Sequence, residues 1–286
     1  MTPLEQRLAR LSAREMVSAL GAGRAPALLR WGLELPFEAA SRRLARTLAE
    51  LDGSLEHLGL PDATGAALES FGVGLRVSGA PPTTGPCLVL ANHPGAYDAL
   101  ALMTALGRRD LAILAADRTF LRALGRLSRH FVFVADGVAS RAGALKRALS
   151  TLKSGGAVLH FPAGQIEPDA AFEPAQERWL GPWQAGVSTL VSACSRASGA
   201  LVLAGVCGVH SPSSKRLAVN RAAENSGVTT LSPLLQLLQG RRDVEARVHL
   251  ASGPSPTALE AQTEAEQTAA LRAGLVSAIA EAQRAR

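Results

Sequence analysis

Apolar positions along this chain change period near residue 70. Before that point they recur at helical spacing. Leu4, Leu8 and Leu11, then Leu33, Phe37, Leu44 and Leu48, fall on single faces among Arg and Glu. The pattern predicts helices over 3–20 and 26–51, a stop at Asp52-Gly53 and a further short helix from Pro61-Asp62. Residues 1–70 read as a helical cap. From Phe71 the period falls to two: Val73, Leu75 and Val77 alternate with Gly74, Arg76 and Ser78, a half-exposed strand. Short apolar runs then alternate with amphipathic stretches. Strands are predicted over 87–91, 111–115, 131–134, 157–161, 200–206 and 244–250. Helices are predicted over 97–107, 118–129, 140–153, 184–197, 228–238 and 257–284. Wholly apolar strands separated by helices imply an α/β domain over 71–286, its mostly parallel sheet covered by helices on both faces, with the helical cap in front.

Two strands end in unusual turns. Leu88-Val89-Leu90-Ala91 stops at Asn92-His93-Pro94-Gly95, and Asp98 opens the next helix. A histidine titrates near neutrality, and a carboxylate on its second ring nitrogen fixes the tautomer and steadies the imidazolium. If the helix starts after His93, with Pro94 in its first turn, His93 folds back over Asp98. The second turn, Phe161-Pro162-Ala163-Gly164, follows the strand 157–161. In parallel sheets ligands bind beyond the carboxyl ends of the strands, so both turns are expected on one edge and in one pocket. In the helix 118–129, Arg118, Arg122, Arg126 and Arg129 recur along one face. That row is either a solvated surface or a dock for an anionic partner.

Composition narrows the picture. The 286 residues are 47% hydrophobic, 19% charged and 4% aromatic, and basic residues do not interleave with aromatics as on a single-strand nucleic-acid platform; no nucleic-acid partner is expected. The three cysteines are far apart and His57, His130, His210 and His249 lack paired ligand spacing, so neither metal nor disulfide is expected. His160 reads as a core or supporting residue, and Trp179 and Trp183 as packing. No signal peptide and no span of 18 apolar residues is visible. A cytoplasmic protein is expected, with peripheral contact at the inner face of a membrane, Trp31 being a weak pointer to the contacting surface. Net charge is +6, yet residues 101–160 alone hold ten Lys/Arg against three Asp, which favours anions such as phosphates, an acidic carrier or lipid headgroups.

Asn92-His93-Pro94-Gly95-Ala96-Tyr97-Asp98 resembles the N-H-x-x-x-x-D block of the glycerolipid acyltransferases, the glycerol-3-phosphate and lysophosphatidic acid acyltransferase family. Phe161-Pro162-Ala163-Gly164 resembles that family's F-P-E-G block, and the strand 200–206 its later hydrophobic block, so the likeness covers roughly 71–215. It implies transfer of a fatty acyl group from acyl-CoA or acyl carrier protein, the co-substrates, to a hydroxyl of a lipid-like acceptor, without a cofactor. His93 would be the general base and Asp98 its orienting partner. With no Ser or Cys beside the pair, attack would be direct. Backbone N–H groups of Gly95 or Gly164 would hold the oxyanion. Asn92, Gly95, Arg118, Arg141, Phe161, Pro162, Ala163 and Gly164 make up the expected substrate-binding set. The departures bear on the acceptor more than on acyl transfer. Where the family's second block carries an arginine, Phe131-Val132-Phe133-Val134 is followed by Ala135-Asp136, and the nearest basic residue is Arg141. Ala163 stands in place of the third block's Glu, and Gln165-Ile166 replace its Thr-Arg. Two alternatives remain: a thioester hydrolase using the same pair on water, and a lipid- or carrier-binding module with a weakened site.

Overall fold

The computed structural model describes residues 1–19, 27–95, 97–215, 236 and 243–285. Helices α1 (Pro3–Ala19), α2 (Ala27–Ser54) and α3 (Leu60–Phe71) precede strand β1 (Val73–Gly79). There follow β2 (Cys87–Ala91), α4 (Asp98–Leu106), β3 (Leu111–Ala116), a single turn α5 (Thr119–Arg122), β4 (Phe131–Val134), α6 (Val138–Lys153) and β5 (Ala157–His160). The chain continues through α7 (Val187–Arg196), β6 (Ala200–Cys207), the short α8 (Pro212–Lys215), β7 (Val244–Ser252), α9 (Pro256–Glu260) and α10 (Glu264–Arg284). The predicted helix 228–238 lies outside the described residues except Gln236, as does the side chain of Trp31.

The seven strands order as β1-β7-β6-β2-β5-β3-β4. The five from β6 to β4 run parallel, while β7 is antiparallel to β6 and carries β1 parallel to itself, so the sheet is mostly but not wholly parallel. Alternation along the central strands feeds two cores. Val89 and Ala91 of β2 join Leu159, Val202 and Val206 beneath α3, α4 and residues of α1 and α2. Leu88 and Leu90 join Val158, Leu201 and Leu203 beneath α6, α7 and α10. Residues 1–70 thus share one core with the sheet. Burial on both faces is why these strands read as continuous apolar runs.

This topology makes a switch point. From β2 the chain leaves to α4 on one face; from its neighbour β5 it leaves through a long loop to α7 on the other. Adjacent connections that part in this way open a crevice at the carboxyl ends of the two strands.

The helix predicted over 118–129 does not form. It is one turn, α5, followed by a 3-10 turn at Leu127–His130. Gly125 weakens a helix at its centre, and the buried carboxylate of Asp52 on α2 accepts the N–H groups of Arg126 and Leu127, both at 2.8 Å. Those donors end one turn and begin another. The arginine row is lost with the helix. Arg122 pairs with Asp117 and lies over the Phe133 ring, and Arg126 pairs with Glu56 at 2.5 Å. The C-terminal helix is likewise divided, because Thr263 opens α10 with a capping box to Glu266.

At mid-sheet α10 rides directly on β6. A Cβ at Gly205 would sit 2.2 Å from the backbone of Ala278, and one at Gly274 would sit 2.5 Å from Leu203. Gly205→Ala is expected to cost about 3 kcal/mol, the upper end for overpacking, whereas Gly53→Ala, with nothing within 4 Å of the added carbon, is expected to be neutral or slightly stabilising. Urea midpoints of the two variants check this; equal midpoints would mean that the backbone of α10 is not seated on Gly205.

Candidate active site

The β2 strand does not simply stop at Ala91; the side chain of the next residue continues its ladder. Asn92 is 1% exposed, its Oδ1 accepting from the Val206 N–H and its Nδ2 donating to the Val206 carbonyl, each at 2.8 Å. Only an amide offers donor and acceptor in this arrangement. Asn92 therefore ties the turn to β6 through both groups of its side-chain amide.

His93 follows, 30% exposed, its Nδ1 2.6 Å from Oδ2 of Asp98. Asp98 is 0% exposed. Its Oδ2 also accepts the Gly95 N–H at 2.9 Å, and its Oδ1 accepts the Ala99 N–H at 2.6 Å. The helix starts at Asp98 itself, not after His93; Pro94 lies in the turn outside it. The carboxylate thus occupies the N-terminus of α4, where a helix favours negative charge. With Asp98 on Nδ1 the proton belongs there, leaving the Nε2 lone pair with no partner among the described residues. Burial pushes the His93 pKa down, but the charge and hydrogen bond of Asp98 and the charge of Glu167 outweigh it, and the net direction is upward from 6.5.

The second turn borders the same crevice. Leu90 pairs with His160 in the β2–β5 register, and the Phe161 ring lies 4.6 Å from the His93 ring at 34°. Phe161, Pro162 and Ala163 are buried, while Gly164 is exposed with φ +62°, the left-handed region that glycine enters without strain. The expected oxyanion donors are both engaged elsewhere. The Gly95 N–H is held by Asp98, and the Gly164 N–H closes its own turn on the Phe161 carbonyl at 3.0 Å. Each serves the turn it belongs to, which the sequence pattern does not reveal.

Three residues outside the sequence-based set complete the surroundings. Glu167, 4% exposed, accepts the His93 N–H at 2.9 Å through its side chain and returns its own N–H to the His93 carbonyl at 2.8 Å. Nε2 of buried His210 donates to the Pro94 carbonyl at 2.8 Å, and a Cβ at Gly95 would lie 3.2 Å from it, which explains the glycine. Asp169, also buried, accepts the Gly208 N–H at 2.8 Å and the His210 N–H at 3.2 Å. The available signal was acidic residues embedded among apolar ones just past the second turn, in Ile166-Glu167-Pro168-Asp169-Ala170.

The arginines disperse. Arg118 precedes α5 at the end of β3, and Arg141 lies in the first turn of α6 after β4, so both share the sheet edge of His93. They stand two and three strands away from β2, about 10 and 14 Å at the usual spacing, and no hydrogen bond or ion pair joins either side chain to the His93 turn among the described residues. Arg109, Arg126 and Arg129 gather beside residues 55–60 at the opposite edge, and Arg108 is buried against Asp110 and the Gly85 carbonyl. The positive excess of 101–160 is therefore not one patch. His160 has its pKa pushed down to about 4 by burial, and the Cys87 and Cys207 thiols are pushed up to about 12 by the same cause. Trp179 packs in the core with its indole N–H on the Glu173 carbonyl at 2.7 Å, and Arg272 lies over the Trp183 ring.

Residues 75–204, which contain both turns, match the family model described as Acyltransferase. The matched residues run from β1 to β6 across a mostly parallel α/β sheet. The fold of the chain is similar to that in the crystal structure of the 1-acyl-sn-glycerophosphate (LPA) acyltransferase PlsC from Thermotoga maritima, with 14% identity, 98% of each chain covered and a TM-score of 0.50. No curated protein sequence matches the chain.

A group whose folded pKa is raised adds stability below its unfolded value and loses it as pH rises through the folded value. His93 is expected to behave so, and Asp98→Asn to bring its pKa below 6.5, because burial then opposes the charge of Glu167 alone. Imidazole titration by NMR in the two proteins checks the direction; an unchanged midpoint would refute the coupling.

Proposed function

We propose that the protein transfers a fatty acyl group from an acyl thioester, acyl-CoA or acyl carrier protein, to a hydroxyl of a glycerolipid-like acceptor, with His93 as general base. The observation that carries this is the buried Asp98 carboxylate on Nδ1 of His93, which leaves Nε2 without a partner among the described residues at a switch-point crevice. Nε2 takes the acceptor's hydroxyl proton as the oxygen attacks the thioester carbonyl. Asp98 steadies the imidazolium so formed. The tetrahedral intermediate then collapses, the carbon–sulfur bond breaks, and the imidazolium returns its proton to the departing thiolate. Attack is direct: no Ser or Cys adjoins the pair in sequence, and Cys87, Cys194 and Cys207 are all buried in the core, where burial pushes their thiols up. Base catalysis of this kind supplies about 10²–10⁴-fold; positioning supplies the remainder.

Among the described residues no helix is long and apolar enough to cross a membrane. Lipid acceptors would be met from the surface, and exposed Arg118 and Arg141, on the same sheet edge as the crevice, suit an acceptor phosphate or anionic headgroups.

Purified protein given labelled acyl-CoA or acyl carrier protein, with phosphate-bearing and uncharged acceptors, is expected to form an ester that mass spectrometry identifies. His93→Ala is expected to reduce turnover by about 10³-fold. The acid limb of kcat/KM is expected above pH 6.5 and to move down in Asp98→Asn as the plateau falls. Thioester loss that ignores the acceptor would establish a hydrolase, and binding without turnover a lipid- or carrier-binding module.

Arg141→Ala is expected to raise the KM of phosphate-bearing acceptors and leave uncharged ones unaltered. Equal constants for both classes would remove Arg141 from the acceptor site.

A further inference from the structure

Ala163 leaves the second turn without the carboxylate of the F-P-E-G pattern, yet a carboxylate lies beside the turn. A Cβ built on Gly181 would lie 3.6 Å from the Ala163 Cβ and 3.7 Å from Oε1 of Glu167, so both residues flank Gly181. Oε1 of Glu167 accepts the Gly181 N–H at 2.7 Å and its Oε2 the His93 N–H at 2.9 Å. An ionisable group buried to this degree is costly unless it is hydrogen-bonded, and both oxygens are.

The anchor is itself anchored. Arg272 on α10 donates to the carbonyls of Gly181 at 2.6 Å and Leu180 at 3.2 Å, which aims the Gly181 N–H at Glu167. On the other side, residue 93 is gripped at both its N–H and its carbonyl by residue 167. The imidazole itself is directed by the bond to Asp98 and packs against the Phe161 ring. Rotation of the His93 backbone would swing the ring off that carboxylate.

We infer that Glu167 is a positioning residue of the His93 turn, a carboxylate supplied from four places downstream of Ala163. The kinetic part of this inference rests on His93 being the acyl-transfer base; the geometric part does not.

The test uses Glu167→Gln, which keeps the shape but replaces one accepting oxygen by an NH₂ group, together with the exchange Ala163→Glu/Glu167→Ala. In Glu167→Gln, kcat is expected to fall by about 10²-fold, the scale of a small misplacement of a reacting group, with both KM values within about twofold. The exchange is expected to recover most of the loss. Independently of turnover, the downfield proton resonance of the His93 Nδ1–H bonded to Asp98 is expected to shift in Glu167→Gln and return in the exchange. A shifted and restored resonance in a protein that transfers no acyl group would support the positioning role and sink the acyl-transfer reading. A folded Glu167→Gln with unaltered kcat and unshifted resonance overturns the inference. So does a lowered melting temperature with kcat per folded molecule unchanged, since that is what a purely structural carboxylate would show.

Discussion

Asp98 reaches complete burial because its two oxygens accept from the His93 ring and from the N–H groups of Gly95 and Ala99. An acid without such partners would be too costly to place there. Other features of the site follow from this. The turn must double back tightly enough to present its ring and one of its own amides to the first residue of α4. Residue 95 must be small, because the His210 ring that holds the Pro94 carbonyl passes close by. The strand must be secured at its last residue, which Asn92 achieves by pairing with Val206 as a backbone would.

The sheet supplies the setting. β2 and β5 are neighbours whose outgoing chains part to opposite helical layers, and the gap between those departures is where His93 and Phe161 meet. Residues far apart in sequence become neighbours because parallel strands bring like ends together. The antiparallel β7, with β1 beside it, extends the sheet away from this crevice.

Much of this was legible beforehand. The apolar runs at 88–91 and 157–159 announced buried strands, and their shared direction predicted that the two turns would border one crevice. The spacing allowed a His93–Asp98 pair only if the helix began after His93; the pair forms with the helix beginning at Asp98 itself. What escaped notice depended on partners distant in sequence. Nothing in Arg118–Arg129 discloses that Asp52 will take two amides from its middle and break the helix. Nothing in Gly95 or Gly164 tells that their amides are already engaged. Ala163 reads as a loss when the motif is taken alone, and only the folded chain brings the Glu167 carboxylate onto the His93 N–H. Period and local spacing are written in neighbouring residues; hydrogen-bond commitments are settled by the fold.

The link from Arg272 through Gly181 to Glu167 and His93 also orders events during synthesis. The strands and both turns are made early, but the guanidinium that steadies the Leu180–Gly181 peptide belongs to α10, and α10 needs Gly205 of β6 beneath it before it can settle. A growing chain on the ribosome therefore holds His93, Asp98 and Glu167 well before it holds the cation that completes their support. Arg272 follows all seven strands in the chain, so the cation joins a sheet whose strands have all been made before it.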